Sequence, residues 1–215
     1  MKILVACEYS GIIRDAFTAK GHDAISCDLL PTESPGKHYQ GNVFDIINNG
    51  FDMLIGCPPC QFLSSAGLHF CNIETHGKKA IERIRNRNKA VDFFLDLYSC
   101  DIPKKCIENP VGFISSTILK PTQIIHPYYF GERELKRTCF WLVNLPPLQY
   151  SFTDDLFCKK TATDYPEPYQ IQLCKKTNKT KNRYFVDNTI KGLKSAKDKA
   201  RFFKSVACAM ANQWG

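Results

Sequence analysis

The stretch "GCPPCQFLSSAG", residues 56–67, sets two cysteines around a double proline, straight after an apolar run and before a small-residue loop. Three chemistries use a Cys-x-x-Cys. A structural zinc needs four ligands, usually from two such pairs or from one pair with two histidines; there is no second pair here and the five histidines are scattered. No metal is expected. A redox dithiol opens a helix, whereas Gly56 and two prolines precede Cys60 and the residues after it start a helix poorly. The remaining reading is a rigid Pro-Pro turn that presents Cys60 as a nucleophile. Eleven cysteines is a high and odd count, and without an export signal they are expected to stay reduced. Cys7, Cys27, Cys100, Cys106, Cys139 and Cys208 lie in apolar contexts and read as small core residues, which sets Cys57, Cys60 and Cys71 apart.

The elements around this loop alternate. "KILVAC" reads as a strand ended by "EYSG", and "IIRDAFTAKGH" as a helix with Ile12, Ile13, Ala16 and Phe17 on one face, stopped at Gly21. "DAISCDLL" is a second strand ending in Asp28, and "FDMLIGC" a third that runs into the Cys-Pro-Pro-Cys loop. "AIERIRNRNKAVDFFLDLYSC" is helical, while "KKCIEN" and "RTCFWLV" are strands. Strands alternating with helices predict a parallel sheet in an α/β domain. Ligands of such sheets gather beyond the carboxyl ends of the strands, which selects Glu8 to Gly11, Asp28, the 56–67 loop and Glu108-Asn109-Pro110. Asp28 suits the hydroxyls of a ribose and equally suits an exposed turn. As a glycine-rich fingerprint "ACEYSG" is weak, with Gly11 alone.

From Asn144 to about Asn188 the periodicity dissolves into turn formers, Lys and Thr, so a small loop-rich insertion is expected. "SAKDKARFFKSVACAMANQW" closes the chain as a helix with Ser195 as N-cap and Asp198 as a capping partner. The net charge of +8 is uneven: residues 1–59 hold four Lys/Arg against seven Asp/Glu, and the rest holds 25 against 14. Basic clusters at Lys78, Lys79, Arg83, Arg85, Arg87 and Lys89, from Lys159 to Arg183, and from Lys191 to Lys204 are solvated helix faces or a surface for a polyanion. No apolar run approaches the ~20 residues of a membrane span and no signal peptide is visible, so a cytoplasmic protein is expected.

"GCPPCQFLSSAG" resembles the Pro-Cys-Gln catalytic loop of the cytosine-C5 DNA methyltransferases, "IENPVG" their Glu-Asn motif, and "AMANQWG" the Asn-containing motif that closes their fold. "CEYSGIIRDAF", "SCDLLPTESPGKHYQGNVFDI" and "KRTCFWLVNLPPL" are similar to the compact, phage-type members. The resemblance spans nearly the whole chain except residues 150–190. It implies a Rossmann-like S-adenosylmethionine-dependent methyltransferase fold. Residues 1–143 would form the cofactor-binding and catalytic domain, 144–190 a reduced target-recognition segment, and 191–215 a helix returning to the catalytic domain.

The resemblance assigns roles residue by residue. Cys60 would attack C6 of cytosine, which needs a thiol pKa lowered by nearby positive charge; Glu108 would hydrogen-bond N3 and the exocyclic amine; and Arg137, in preference to Arg133, would assist. The donor, S-adenosyl-L-methionine, would lie against Cys7, Glu8, Tyr9, Ser10 and Gly11, with its ribose on Asp28, its adenine at Asn42, and Pro58 and Asn212 nearby. Three positions depart from the family pattern: Ala6 stands where Phe is usual, Asn42 where Asp is usual, and "GERELKRTCFW" matches the Gln-x-Arg-x-Arg motif only in part. The implied partner is duplex DNA, gripped by its phosphates while the cytosine is flipped out. Lys159, Lys160, Lys175, Lys176, Lys179, Lys181 and Arg183 suit phosphate contact more than base reading, so sequence recognition is expected to be relaxed or shared with a partner subunit. Cytosine in RNA or a free nucleotide is the alternative substrate, and an inactive nucleic-acid-binding relative the alternative class.

Overall fold

The first apolar run forms β1 (Lys2–Ala6) at the heart of a seven-stranded sheet, and successive side chains face two different cores. Ile3 and Val5 pack on one face, Leu4 on the other with Ala6, and all four are fully buried. Burial on both faces is why the run is continuously apolar instead of alternating. The computed structural model describes residues 1–132, 134, 136–150 and 201–215, together with the backbone of 170–173 and 180–183.

After β1 come α1 (Ile12–Thr18), β2 (Asp23–Asp28), β3 (His38–Gln40) and β4 (Met53–Gly56). Two single-turn helices, α2 (Ser65–Leu68) and α3 (Ile73–His76), lead into the long α4 (Lys78–Ser99). The sheet is completed by β5 (Lys104–Pro110), β6 (Gln123–Ile125) and β7 (Thr138–Val143) in the order β3-β2-β1-β4-β5-β7-β6. The neighbours from β3 to β5 pair in parallel. β7 runs antiparallel to both β5 and β6. The fold is therefore α/β with a mostly parallel mixed sheet, compatible with a Rossmann-like arrangement.

α1 covers the face of Ile3 and Val5 with Ile13 and Phe17, beside Val206, Met210 and Trp214 of the last helix, α5 (Lys204–Trp214). α4 covers the opposite face, its Val91, Phe94 and Leu97 meeting Leu4, Leu54, Ile107 and Trp141. Phe94 is fully buried and meets Trp141 edge-on at 4.9 Å. Truncating such a residue to alanine typically costs about 3–5 kcal/mol.

Several expectations change. "RTCFWLV" is a strand but an antiparallel one, because the link from β6 carries a 3-10 turn, Pro127–Phe130, and, among the described residues, no helical crossover to bring the chain back in parallel. β3 and β6 are too short for their periodicity to register in the sequence. The closing helix begins at Lys204, preceded by an extended Phe203, and its first turn is met from elsewhere: Ser205 donates through its backbone N–H and its hydroxyl to Glu132 Oε1 at 3.1 and 2.8 Å. Ser195 and Asp198 lie outside the described residues. Within the expected loop-rich segment, β8 (Gln170–Leu173) and β9 (Thr180–Arg183) pair antiparallel as a two-stranded sheet, while the side chains of the segment's basic cluster lie outside the description. Cys208, read as a core residue, is exposed on α5. No helix among the described residues is long and apolar enough to cross a membrane.

Candidate active site

β1 pairs with β2 on one side and β4 on the other, so the crossovers leave it in opposite directions and a crevice opens beyond its carboxyl end. The loop after β1 is bent by Cys7, a non-glycine residue in the left-handed region at φ 60°. Such a conformation costs of order 1–3 kcal/mol and gathers at functional sites. The Glu8 backbone N–H donates to Cys27 O at 3.1 Å, and the Glu8 carboxylate turns back to cap α1: Oε1 accepts from Ile13 N at 2.7 Å and Oε2 from Arg14 N at 3.3 Å. Burial pushes the Glu8 carboxyl up, against those N–H donors, the Ser10 hydroxyl and the Arg14 charge. Gly11 has to be glycine, since its φ is 76° and a Cβ would run into the Arg14 guanidinium. Tyr9 and Ser10 are buried in the same turn. Glu8 through Gly11 thus build the entry to α1, with the Glu8 carboxylate committed to the helix.

On the β2 side of this turn lies a cavity of about 170 Å³ lined by Cys7, Cys27, Asp28, Leu29, Asn42 and Phe93, among others. Asp28 Oδ1 accepts from Leu30 N at 2.9 Å, and the Asn42 side-chain carbonyl accepts from Phe44 N at 3.1 Å, capping a short 3-10 turn. Each oxygen retains acceptor capacity. Phe93 supplies an aromatic wall and is braced edge-on by Phe44 at 5.5 Å. Burial, then Asp28, then Cys27 hold the Cys7 thiol up at about 12, so it lines the cavity as a neutral group.

On the β4 side the Pro-Pro turn is fixed from both ends. Cys57 N donates to Ala6 O at 2.9 Å, and Asn109, 1% exposed, donates from Nδ2 to Pro58 O at 2.9 Å. Beyond Cys60, whose carbonyl accepts from Leu63 N and Ser64 N at 3.0 Å, the loop pairs with the chain after β5 through Phe113 N to Leu63 O at 2.7 Å. Gly112 permits this approach: a Cβ there would strike the Leu63 carbonyl. Arg83 of α4 holds the outer side, donating from Nε to Gly67 O and from Nη2 to Gln61 O, each at 3.1 Å.

These ties bring Cys60 and Glu108 into electrostatic contact. Burial first, then the Glu108 charge, pushes the Cys60 thiol up, against the pull of Lys136 and a backbone N–H. Burial likewise pushes Glu108 up, with Lys136 opposing. The expected lowering of the Cys60 pKa is therefore not present: desolvation outweighs the nearby cation. Cys57 is held well above its ordinary value by burial, Glu108 and Glu8, which makes it an inert thiol. Arg137 is exposed and its charge is felt at His126 and Cys139, while the cation felt at both Cys60 and Glu108 is its neighbour Lys136. Arg133 lies outside the described residues. Asn212 is exposed on α5, away from the cavity lining.

The structure thus joins Pro58, Cys60 and Glu108 in one cluster and Cys7, Asp28 and Asn42 in another, on either side of the β1 turn. Lys136 and Phe93 are the residues that sequence reasoning passed over, and Arg83, read there only as part of a basic cluster, braces the Cys60 loop. A signal existed for Phe93, which falls one position out of phase with the buried Val91, Phe94 and Leu97 stripe. Among the described residues no three His, Cys, Asp or Glu side chains converge in a metal-holding group. A buried carboxyl held protonated can donate to a ring nitrogen and accept from an adjacent amine, with a thiol beside it that can add to the same ring. No protein-family model matches the sequence, and a search of the curated proteins found no match.

Proposed function

We propose that the protein is a DNA (cytosine-5-)-methyltransferase that transfers a methyl group from S-adenosyl-L-methionine to C5 of cytosine through a covalent Cys60 adduct. The observation that carries this reading is the coupling of Cys60 to a desolvated Glu108 across two loops joined by the Asn109–Pro58 hydrogen bond. A mostly parallel sheet whose ligand-bearing loops follow β1, β2 and β4 supports it.

Carbon 5 of cytosine is a poor nucleophile until C6 is attacked. Glu108 in its protonated form, which burial favours, donates its proton to N3 and accepts from the exocyclic amine, drawing electrons out of the ring. Cys60 releases its proton to solvent, and its sulfur bonds to C6, placing electron density on C5. The Glu108 charge left by that transfer is offset beside the thiolate by the protonated ring and by Lys136. Held by the cavity beside Cys7, the sulfonium donor would supply an electrophilic methyl to C5 and leave as the neutral thioether. A base then removes the C5 proton, the C5–C6 double bond re-forms, the S–C6 bond breaks, and N3 returns its proton to Glu108.

The cavity beside Cys7 fits the adenosine part of such a donor: Asp28 offers carboxylate oxygens at the end of β2, Asn42 an amide beside it, and Phe93 an aromatic wall. Its lining is chemically suited to ribose hydroxyls and a purine face. The test is DNA carrying 5-fluorocytosine, which blocks loss of the proton at C5. With the donor present a gel-stable adduct should form and map to Cys60; an adduct on another residue, or methyl transfer without one, would overturn the proposal. Parallel assays with RNA and dCMP decide the substrate class.

A further inference from the structure

Beyond Cys60 the chain leaves the crevice and builds a second concavity against α4, of about 480 Å³, within the ~300–1,000 Å³ range of small-molecule sites. Its walls include Phe62, Phe70, His76, Lys79 and Arg83. The aromatic rings are arranged as a platform. Phe70 is 45% exposed, has the His69 ring at 3.9 Å and the His76 ring at 5.4 Å, and shares with Phe62 the Arg83 guanidinium, whose carbon lies 5.3 Å from each ring centre. An apolar residue this exposed is ordinary when isolated, but here it is held edge to edge with cations. Glu82 contributes one negative charge to the same walls. Neither the Lys79 ammonium nor Arg83 Nη1 has a hydrogen-bond partner among the described residues, which leaves two cationic donors for an anion.

Exposed aromatic faces interleaved with unpaired cations are the chemistry of single-stranded nucleic-acid binding: the rings stack on bases, and the cations meet the phosphates between them. The placement relative to Cys60 is fixed by the chain. Phe62 is the next residue but one, so its Cα lies at most about 7.6 Å away, two virtual bonds of 3.8 Å. That is about two base steps of 3.4 Å along a stacked strand. We infer that this groove is a base-stacking subsite for an unpaired nucleotide within about two positions of the target cytosine on the same DNA strand, so that unpaired DNA is the preferred substrate over perfect duplex. The inference rests on the proposed function for the identity of the neighbouring base, but the groove's own chemistry is independent of methyl transfer.

The test measures binding without the methyl donor, using a short single-stranded oligodeoxynucleotide with one cytosine and 2-aminopurine beside it, and the matched duplex. The full-length chain should quench 2-aminopurine in the single strand. Phe70→Leu should weaken single-strand affinity by roughly 5- to 150-fold, the worth of one lost base–aromatic stack, and Phe70→Trp should restore it. Duplex affinity should change less than single-strand affinity, and Lys79→Ala should flatten the single-strand salt dependence by about 0.7 of a log–log unit. Wild-type affinity in Phe70→Leu, equal losses on single strand and duplex, or tighter binding of an RNA oligonucleotide of the same sequence would each overturn the inference. Adduct formation on 5-fluorocytosine in the same variants separates the two ideas: quenching with no adduct in any variant removes the methyl-transfer reading and leaves the groove, whereas an adduct with no dependence on Phe70 does the reverse.

Discussion

Replacing Glu108 by glutamine removes an ionisable group and keeps the shape, and the sign of its effect on stability follows from the burial of the carboxyl. Its pKa is raised from 4.5 in the folded chain, chiefly by desolvation, with Lys136 acting in the opposite direction. Between 4.5 and the folded value the native state holds a proton that the unfolded state has released, so native stability falls as pH rises through this window. The slope reaches at most about 1.4 kcal/mol per pH unit for one group. Glu8 is raised as well and contributes a slope of the same sign, so the informative quantity is the difference between wild type and Glu108→Gln at each pH. That difference should move in favour of the mutant as pH rises from 4.5 and become constant above the folded pKa. Each unit of elevation is worth about 1.4 kcal/mol, or roughly 3–5 °C in Tm for a domain of this size. Thermal melts from pH 4.5 to 9 measure it. The same mutant should form the 5-fluorocytosine adduct about 10²–10⁴ times more slowly, having lost the proton it donates to N3. A mutant less stable by a constant amount at every pH would mean that Glu108 is well solvated, and the argument for a neutral acid in the site would collapse.

Cys60→Ser should abolish adduct formation and methyl transfer while Cys57→Ser retains both, measured by gel shift and incorporation of labelled methyl; equal loss in the two would return the paired-cysteine chemistries. Lys136→Met should move the pH midpoint of Cys60 alkylation upward, because the cation that favours the thiolate is gone; an unchanged profile would show that Lys136 does not act on the thiol. Asn109→Ala leaves the buried Pro58 carbonyl unpaired and should cost about 1–3 kcal/mol in denaturant unfolding. The accompanying shift of the Cys60 loop should slow adduct formation about 10²-fold. Asp28→Ala should weaken binding of the methyl donor by roughly 10- to 150-fold in calorimetry, the range for a lost hydrogen bond to a charged group, with little change in Tm.

What could be read in advance was whatever depends on short-range pattern. Cys60, Glu108 and Asp28 each follow an apolar run; β4 and β2 end where those runs stop, whereas β5 continues past its run through Glu108 to Pro110 by pairing with β7. The strand before "NLPPL" was visible in "RTCFWLV", but its direction was not, since direction depends on the length and content of a connection, not on the strand itself. Three further features rest on partners far along the chain. Glu132 meets the start of α5 across a separation of 73 residues. Arg14 is 1% exposed and donates to Ser26 Oγ at 3.1 Å and to the carbonyls of Ser34 and Pro35 at 3.0 and 3.2 Å. Lys136 sits beside the more recognisable Arg137, and only the folded chain decides which of the two cations is felt by the thiol.

The direction of the Cys60 shift bears on how such a site is controlled. A thiol lowered well below neutral pH would be a standing nucleophile, open to alkylation and oxidation in a chain that carries eleven cysteines. Here burial keeps Cys60 protonated, and burial keeps Cys7, Cys57 and Cys106 raised alongside it. The same burial pushes the Glu108 carboxyl up towards its neutral form, and a neutral Glu108 is what a ring nitrogen needs. A base entering the crevice would accept the Glu108 proton, and the charge that develops on the ring would attract the thiolate while Lys136 stabilises it. Activation is in this way tied to occupancy by a ring that offers an acceptor nitrogen beside a donor amine. Cytosine presents that pair at N3 and its exocyclic amine. A neutral carboxyl can also pair with uracil or thymine, accepting from N3–H and donating to the carbonyl beside it, but their N3 has no free lone pair to take the proton. Under the proposed function, transfer of the Glu108 proton to the ring, beyond hydrogen bonding alone, would select cytosine.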